Sequence, residues 1–404
     1  MRHLIRTRLA AAALSFVLGV SLTAHAQDAV RPDVGKPLQA AQELIRAQKY
    51  KDALAKVHDA DAVPNKTANE SYLIERMRIA AASGAGDVET AAKSFEAVAS
   101  RVSAADKLRM IESITGAYYR AGQYTRAQQW GQRYFKEGGT SGAIRTLLIQ
   151  SQYLAGDFAG ASKELTTEIQ QAEKSGAAPG EDRLKLLVNA TLKMNDTNGY
   201  VWALERLVTY YPKKEYWVDL LARLQRKPNF SDRLALDTYR LSLATGSMSQ
   251  ANDFMEMAQL AVQAGSLNEA KQVLDKGFAA NILGQGPQAE RQKRLRDLVL
   301  KRAEEDKAGQ AAAIDDAKTA KDGTALVNIG MNQVYAGDKK GLELMQQGIA
   351  KDNLKRVDDV KLHLAIAQIT AGEAGKAQAT LRTVAGNDGT ADLARLWALY
   401  AKRK

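Results

Sequence analysis

The stretch Tyr119–Trp130, YRAGQYTRAQQW, is answered 34 residues later by Tyr153–Glu164, YLAGDFAGASKE. Both spell Tyr-x-Ala-Gly-x-aromatic-x-x-Ala. Aligned on the glycine, the pattern returns as Ala264-Gly265-Ser266-Leu267-x-x-Ala270, as Ala371-Gly372-Glu373-Ala374-x-x-Ala377 and, more loosely, as Ala336-Gly337-Asp338-Lys339-x-x-Leu342. Gly122 and Gly156 are 34 residues apart, Gly265 and Gly337 twice 36, and Gly337 and Gly372 35. A period of this length predicts a helical repeat array.

Each position of the pattern has a physical reading. Glycine supplies the left-handed residue that ends a first helix, and the Asp or Ser after it caps a second. Ser266-Leu267-Asn268-Glu269 has the spacing of a capping box. The alanine three residues beyond the aromatic lets the second helix lie close to the first, and the aromatic fills the corner between repeats. Tyr50-x-x-Ala53, Val88-x-x-Ala91 and Tyr200-x-x-Ala203 read as weaker corners. Ahead of Tyr200, the residues Leu184, Leu187, Val188, Thr191 and Leu192 share one helical face. The seven prolines, Pro32, Pro37, Pro64, Pro179, Pro212, Pro228 and Pro287, are expected between helices.

On these residues the chain resembles the tetratricopeptide repeat (TPR) family, whose 34-residue helix-turn-helix unit carries small and aromatic residues at the same offsets. The resemblance implies an all-α fold, a right-handed α-solenoid of TPR-like helix-turn-helix repeats. It departs from the family where the usual early Trp of the first helix is missing and where Gly131 stands at a position that is commonly bulky.

The 404 residues, 45% hydrophobic, are too many for one compact core and suit a stacked array. Arg2, Arg6 and Arg8, the apolar stretch Leu9–Leu22 and Ala24-His25-Ala26 read as a secretory signal cleaved after Ala26. The expected organisation is therefore a signal peptide over 1–26, an N-terminal block of repeats over 27–287, a polar helical linker within the array over 288–321, and C-terminal repeats over 322–404. A capping helix at Asp392–Lys404 ends the last block. With no cysteine there is no disulfide framework, thiolate metal site or cysteine nucleophile, and the expected compartment is the periplasm. Three arginines of the +11 net charge lie in the signal, leaving +8 beyond it. That excess is spread out and does not point to nucleic acid, and no later segment is apolar enough for stable membrane insertion.

Chemistry is sparse. Beyond the signal only His58 and His363 remain, without ligand spacing, and neither a phosphate loop nor a G-x-S-x-G elbow appears, so no catalytic, metal-binding or cofactor-binding residue is expected. Ile111–Tyr119, IESITGAYY, contains a Glu-Ser pair like that of the lytic transglycosylases, some of which carry long periplasmic helical superhelices. The Gly-Ala-x-Gly-Leu-Met-Gln block of that family does not follow it, and Glu112 reads as a groove or surface residue. Two aromatic groups, Tyr118 to Phe135 and Tyr200 to Trp217, read mainly as inter-repeat core. Basic Arg291–Arg302 reads as a solvated helix face.

In TPR proteins the first helices line the inner surface at fixed offsets from the corner. Carried onto the two clearest units, those offsets select Arg109, Glu112, Tyr119 and Arg120, then Thr146, Gln150 and Tyr153, as a partner-binding groove for a peptide or helix. The Lys/Asn carboxylate clamp of chaperone-binding members is not reproduced. The function expected is a non-enzymatic protein-interaction scaffold of an envelope complex, with a protein partner and no cofactor. The alternatives are a peptidoglycan-active enzyme or its accessory, and an envelope-polymer receptor. The chain is also similar to periplasmic repeat proteins that accompany TonB-type energy-transduction components.

Overall fold

The structure is a computed structural model that describes residues 29–351 and 353–404. The expected signal peptide and its cleavage site lie outside the described residues. Among those residues every regular element is helical, with 20 α-helices and no strand. The described residues divide into two compact units, unit 1 ending at Glu168 and unit 2 beginning at Ile169.

Unit 1 is a series of TPR-like helical hairpins. Its elements are α1 (Pro32–Arg46), α2 (Tyr50–Asp61), α3 (Ala68–Ala85), α4 (Val88–Val98), α5 (Ala104–Arg120), α6 (Tyr124–Lys136), α7 (Gly142–Leu154) and the start of α8 (Phe158–Lys174), within which the boundary falls. Unit 2 continues with α9 (Glu181–Lys193), α10 (Thr197–Tyr210), α11 (Lys214–Gln225), α12 (Ala235–Ala244), α13 (Ala251–Gln263), α14 (Leu267–Ala279) and the 31-residue α15 (Ala289–Thr319). Then follow α16 (Thr324–Tyr335), α17 (Gly341–Ile349), α18 (Val357–Thr370), α19 (Ala374–Leu381) and α20 (Thr390–Ala401).

One turn makes the hairpins. Gly86, Gly122, Gly156, Gly265, Gly337 and Gly372 have φ between +71° and +91°, and Gln48 and Asn195 take the same left-handed conformation at +59° and +56°. After each, the next residue donates its N–H to the carbonyl five residues back. Lys49 reaches Leu44, Asp87 reaches Ala82, Gln123 reaches Tyr118, Asp157 reaches Gln152, Asp196 reaches Thr191, Ser266 reaches Ala261, Asp338 reaches Gln333 and Glu373 reaches Gln368, all at 2.7–3.0 Å. This bond satisfies a carbonyl that the helix end would otherwise leave open. Space is not what demands glycine here: a Cβ at any of the six corner glycines would meet nothing within 4 Å, so the requirement is the backbone conformation alone. Five residues beyond the left-handed position, Ala53, Ala91, Ala127, Ala161, Ala270 and Ala377 are wholly buried, as close helix packing requires.

Four local expectations are corrected. The turn placed at Tyr200 lies one helical turn earlier, at Asn195-Asp196, where Asp196 caps Gly199 and Tyr200 occupies the usual alanine position. Pro37 lies inside α1, in its second turn, while Pro32 opens that helix. The capping box at Ser266 does not form: its hydroxyl makes no capping bond, its N–H goes to the Ala261 carbonyl, and the Glu269 side chain binds Arg240 on α12 instead. The aromatic after the corner packs edge-on against the tyrosine before it, Tyr124 on Tyr119 at 5.7 Å and Phe158 on Tyr153 at 5.3 Å. Gly131 has a packing reason. A Cβ there would come within 3.3 Å of Leu148 Cβ, so the residue lets α6 and α7 approach.

Unit 2 is closed by its last helix. Besides α18 and α19, α20 packs against α10 and α12. Arg395 reaches Glu205 at 2.8 Å, Lys227 reaches Asp392 at 2.8 Å, and Arg233 grips Asp359 with two bonds of 2.8 Å and Asp388 with one of 2.7 Å. Deeper in, the buried Arg240 binds Glu269 through two nitrogens at 2.6 and 2.7 Å and Asp237 at 2.7 Å, while Asp237 faces His363 on α18 at 3.1 Å. Burial works against the Asp237 carboxylate, but the His363 and Arg240 side chains outweigh it and hold the group down at about 2. Three helices, α12, α14 and α18, meet on one guanidinium and its carboxylates.

Two stability outcomes follow from these packings. Gly156→Val, forced into a left-handed backbone, costs about 1–2 kcal/mol in denaturant unfolding, whereas Gly156→Asn costs less. Arg240→Met strands two buried carboxylates and costs about 3–5 kcal/mol. Unfolding midpoints equal to wild type would show that these contacts do not hold the fold.

Candidate partner-binding face

In unit 1 the first helices of successive hairpins touch one another, α1 on α3, α3 on α5 and α5 on α7. The second helices are stitched by side chains: Arg126 of α6 binds Glu89 of α4 at 2.7 Å, and two turns along Arg133 binds Glu96. Arg133 also lies over Phe95 and Trp130, 4.7 and 5.0 Å from the ring centres, and Trp130 meets Phe95 edge-on. The second-helix side is thus cross-linked by ion pairs and rings. The first helices share the Arg76–Asp106 pair at 3.7 Å and also carry buried polar atoms that remain unmatched, at Ser83, Gln150, Ser151 and Gln152.

All seven expected groove residues fall on α5 and α7, two helices in contact. Their surroundings differ. Arg109 is exposed and 3.6 Å from Asp106 on its own helix. Glu112 is half-buried, and no hydrogen bond or ion pair within the described chain engages it; this desolvation pushes its carboxyl above the ordinary range. Arg120 folds back over Gly116 and reaches the Ser83 carbonyl of α3 at 3.4 Å. Thr146 bonds its own helix at the Gly142 carbonyl, 3.0 Å away. Gln150 buries its Oε1 without a partner. Tyr119 and Tyr153 are half-buried, their rings committed to the corner stacks, and burial raises the Tyr119 hydroxyl. Among Arg109, Glu112, Tyr119, Arg120, Gln150 and Tyr153 no hydrogen bond or ion pair joins one to another within the described chain.

The second aromatic group is occupied by its own unit. Tyr200 and Trp217 are buried. The hydroxyls of Tyr210, Tyr211, Tyr216 and Tyr200 are taken by Glu173, the Pro179 carbonyl, Glu181 and Asp219. Arg206 lies 3.4 Å over the Trp202 ring and pairs with Glu173 at 3.2 Å. By contrast the hydroxyls of Tyr119 and Tyr153 make no hydrogen bond within the described chain.

Sequence reasoning missed two features of unit 2. One is the buried Arg240 cluster, which forms the floor of a cleft of about 370 Å³ walled by Trp397, Tyr400 and Ile366. Its signal was a charged pair, Asp237 and Arg240, set among leucines on one short helix; such charges are buried only when paired. The other is a polar cleft whose lining comes from four helices and which no single segment announces. Among the described residues no group of three or more His, Cys, Asp or Glu is placed to hold a metal ion.

Because Glu112 has a raised folded-state pKa, its charge weighs against the folded unit at neutral pH, and this penalty fades as pH falls through the folded pKa towards the unfolded value. Glu112→Gln is therefore expected to melt no lower than wild type at pH 7, with the difference shrinking under acid conditions. A melting scan across pH checks this, and a Glu112→Gln variant that melts lower at pH 7 would mean the carboxylate has a partner.

No protein-family model matches the chain, and no curated protein matches it. Matching solved structures include the crystal structure of the yeast Tom70, 12% identical over 92% of this chain and 96% of that one, at a TM-score of 0.24. A superposition at that score carries no argument, so the fold rests on the helices and turns above and the function on the faces they expose.

Proposed function

We propose that this chain is a non-enzymatic periplasmic scaffold of a cell-envelope complex, holding a peptide or helix of its protein partner along the first-helix face of unit 1. The observation that carries the reading is the imbalance between the two sides of the hairpins. Ion pairs and stacked rings run along the second-helix side, whereas the first-helix face, joined by the Arg76–Asp106 pair, leaves Glu112 and the Gln150 carbonyl oxygen unmatched beside two half-exposed tyrosines. Unmatched acceptors next to aromatic surface suit a peptide that brings donors, from its backbone or from Lys and Arg side chains. Buried polar atoms left open cost a protein roughly 1–3 kcal/mol each, which a ligand can recover. The periplasmic part rests on the basic, apolar and Ala-x-Ala segments of residues 1–26 and on the absence of cysteine.

Crosslinking in cells followed by mass spectrometry identifies the partner, and the same capture by variants tests the face. Arg109→Glu with Glu112→Lys reverses two charges without touching the corner stacks, and is expected to reduce capture by about tenfold or more while leaving helicity unchanged. Tyr153→Ala is expected to reduce capture as well, with a measurable loss of stability because its ring packs on Phe158. Intact mass of the exported protein should start at Gln27. Full capture by the charge-reversed variant would place the partner elsewhere, and a precursor that is never exported would remove the periplasmic reading.

A further inference from the structure

Unit 2 contains a cleft of about 550 Å³, inside the ~300–1,000 Å³ range of small-ligand sites. Its lining is drawn from α11, α12, α13 and α15 and is unusual in kind. Asn252, Glu256 and Gln259 form a stripe at i, i+4 and i+7 along α13, and Asp253, Arg291 of α15 and Tyr239 of α12 line the same cleft. The side chains of Asn252, Asp253, Glu256, Gln259 and Arg291 make no hydrogen bond or ion pair within the described chain. One wall is fixed, because the buried Gln292 accepts the Gly284 N–H at 2.7 Å. Tyr239 is half-buried, and its hydroxyl is kept neutral first by burial and then by the nearby charges of Asp253 and Glu256.

The chemistry of this lining narrows the ligand. A carboxamide donates and accepts from one planar group, a carboxylate accepts twice, and a guanidinium donates in a fork. Adjacent hydroxyls of a sugar ring, each both donor and acceptor, match such groups in pairs, and a tyrosine ring offers the flat apolar surface that the C–H face of a pyranose covers. An anion is disfavoured, since two carboxylates face one guanidinium. A peptide anchor is disfavoured because, besides the Tyr239 ring, only Ala235 and Met255 supply apolar wall. From this lining we infer that the cleft binds a neutral carbohydrate through one or two pyranose rings of an oligosaccharide. The site lies in unit 2 and is independent of the face proposed for a protein partner in unit 1.

Titration calorimetry of the full chain with maltotriose, cellotriose and chitotriose, at millimolar sugar and neutral pH, tests the assignment. At least one sugar is expected to bind saturably. Asn252→Ala with Gln259→Ala should weaken it about tenfold or more, as should Tyr239→Ala, with helical circular dichroism unchanged for the first pair, of which Asn252 is exposed and Gln259 half-buried. Asp253→Asn with Glu256→Gln keeps the hydrogen-bonding shape and should retain sugar binding to within a few-fold. The inference is overturned if none of the three sugars binds, or if binding is indifferent to the Asn252 and Gln259 changes. It is equally overturned if the cleft instead binds an oligolysine peptide that the Asp253 and Glu256 changes abolish.

Discussion

Everything in this fold depends on one hydrogen bond, repeated eight times: a backbone N–H just past a left-handed residue returning to the carbonyl five positions earlier. It stops one helix and aims the next back along it, and it does so with local atoms only. Because the turn has a fixed geometry, the residue five positions on always meets the preceding helix. There the chain places alanine six times out of eight, and each of the six is sealed from solvent. The corner thereby sets the helix spacing, and the spacing determines which side chains are left facing outward. The binding face proposed for unit 1 is a consequence of this turn as much as of the residues upon it.

That dependence explains what the sequence revealed. A glycine followed by a cap, an aromatic and an alanine is a local signal for a local structure, so the hairpins at Gly122, Gly156, Gly265 and Gly372 were legible, and with them the all-helical class. Where another residue type performs the same backbone task the signal dims. Asn195 tolerates the left-handed conformation through its short polar side chain, and Tyr200 fills the alanine position, which moved the expected turn by three residues. The seven lining residues could be placed on their helices from the corner offsets alone. Their energetic state could not, since the desolvation of Glu112 and the orphaned Gln150 oxygen depend on neighbours in other hairpins.

Long-range partners account for the remaining differences. Ser266 and Glu269 have the spacing of a capping box, yet the glutamate serves a buried arginine 29 residues away. The Ser266 N–H is already taken by the Ala261 carbonyl in the turn, whereas the guanidinium offers the glutamate two charge-assisted bonds, and the local motif loses. The same arginine helps to join α12, α14 and α18, so charge is placed inside the packing of unit 2; in unit 1 the buried Glu70, held by Arg31, plays such a part beside the alanine, aromatic and aliphatic contacts. The polar cleft of α11, α12, α13 and α15 belongs to the same category: its chemistry arises only when four helices converge.

The closure of unit 2 by α20 gives the two units different histories during synthesis. Unit 1 contacts link neighbouring hairpins, and each hairpin finds its packing partner within a few dozen residues, so this unit can grow stepwise behind the ribosome, one turn after another. Unit 2 cannot. The bond from Arg395 to Glu205 spans 190 residues and that from Lys227 to Asp392 spans 165. Helices α10 and α12 must therefore wait, with the surfaces that α20 will cover still open, until the end of the chain emerges. A protein made largely of repeats thus contains one segment that assembles like beads added to a string and another that matures only as a finished loop.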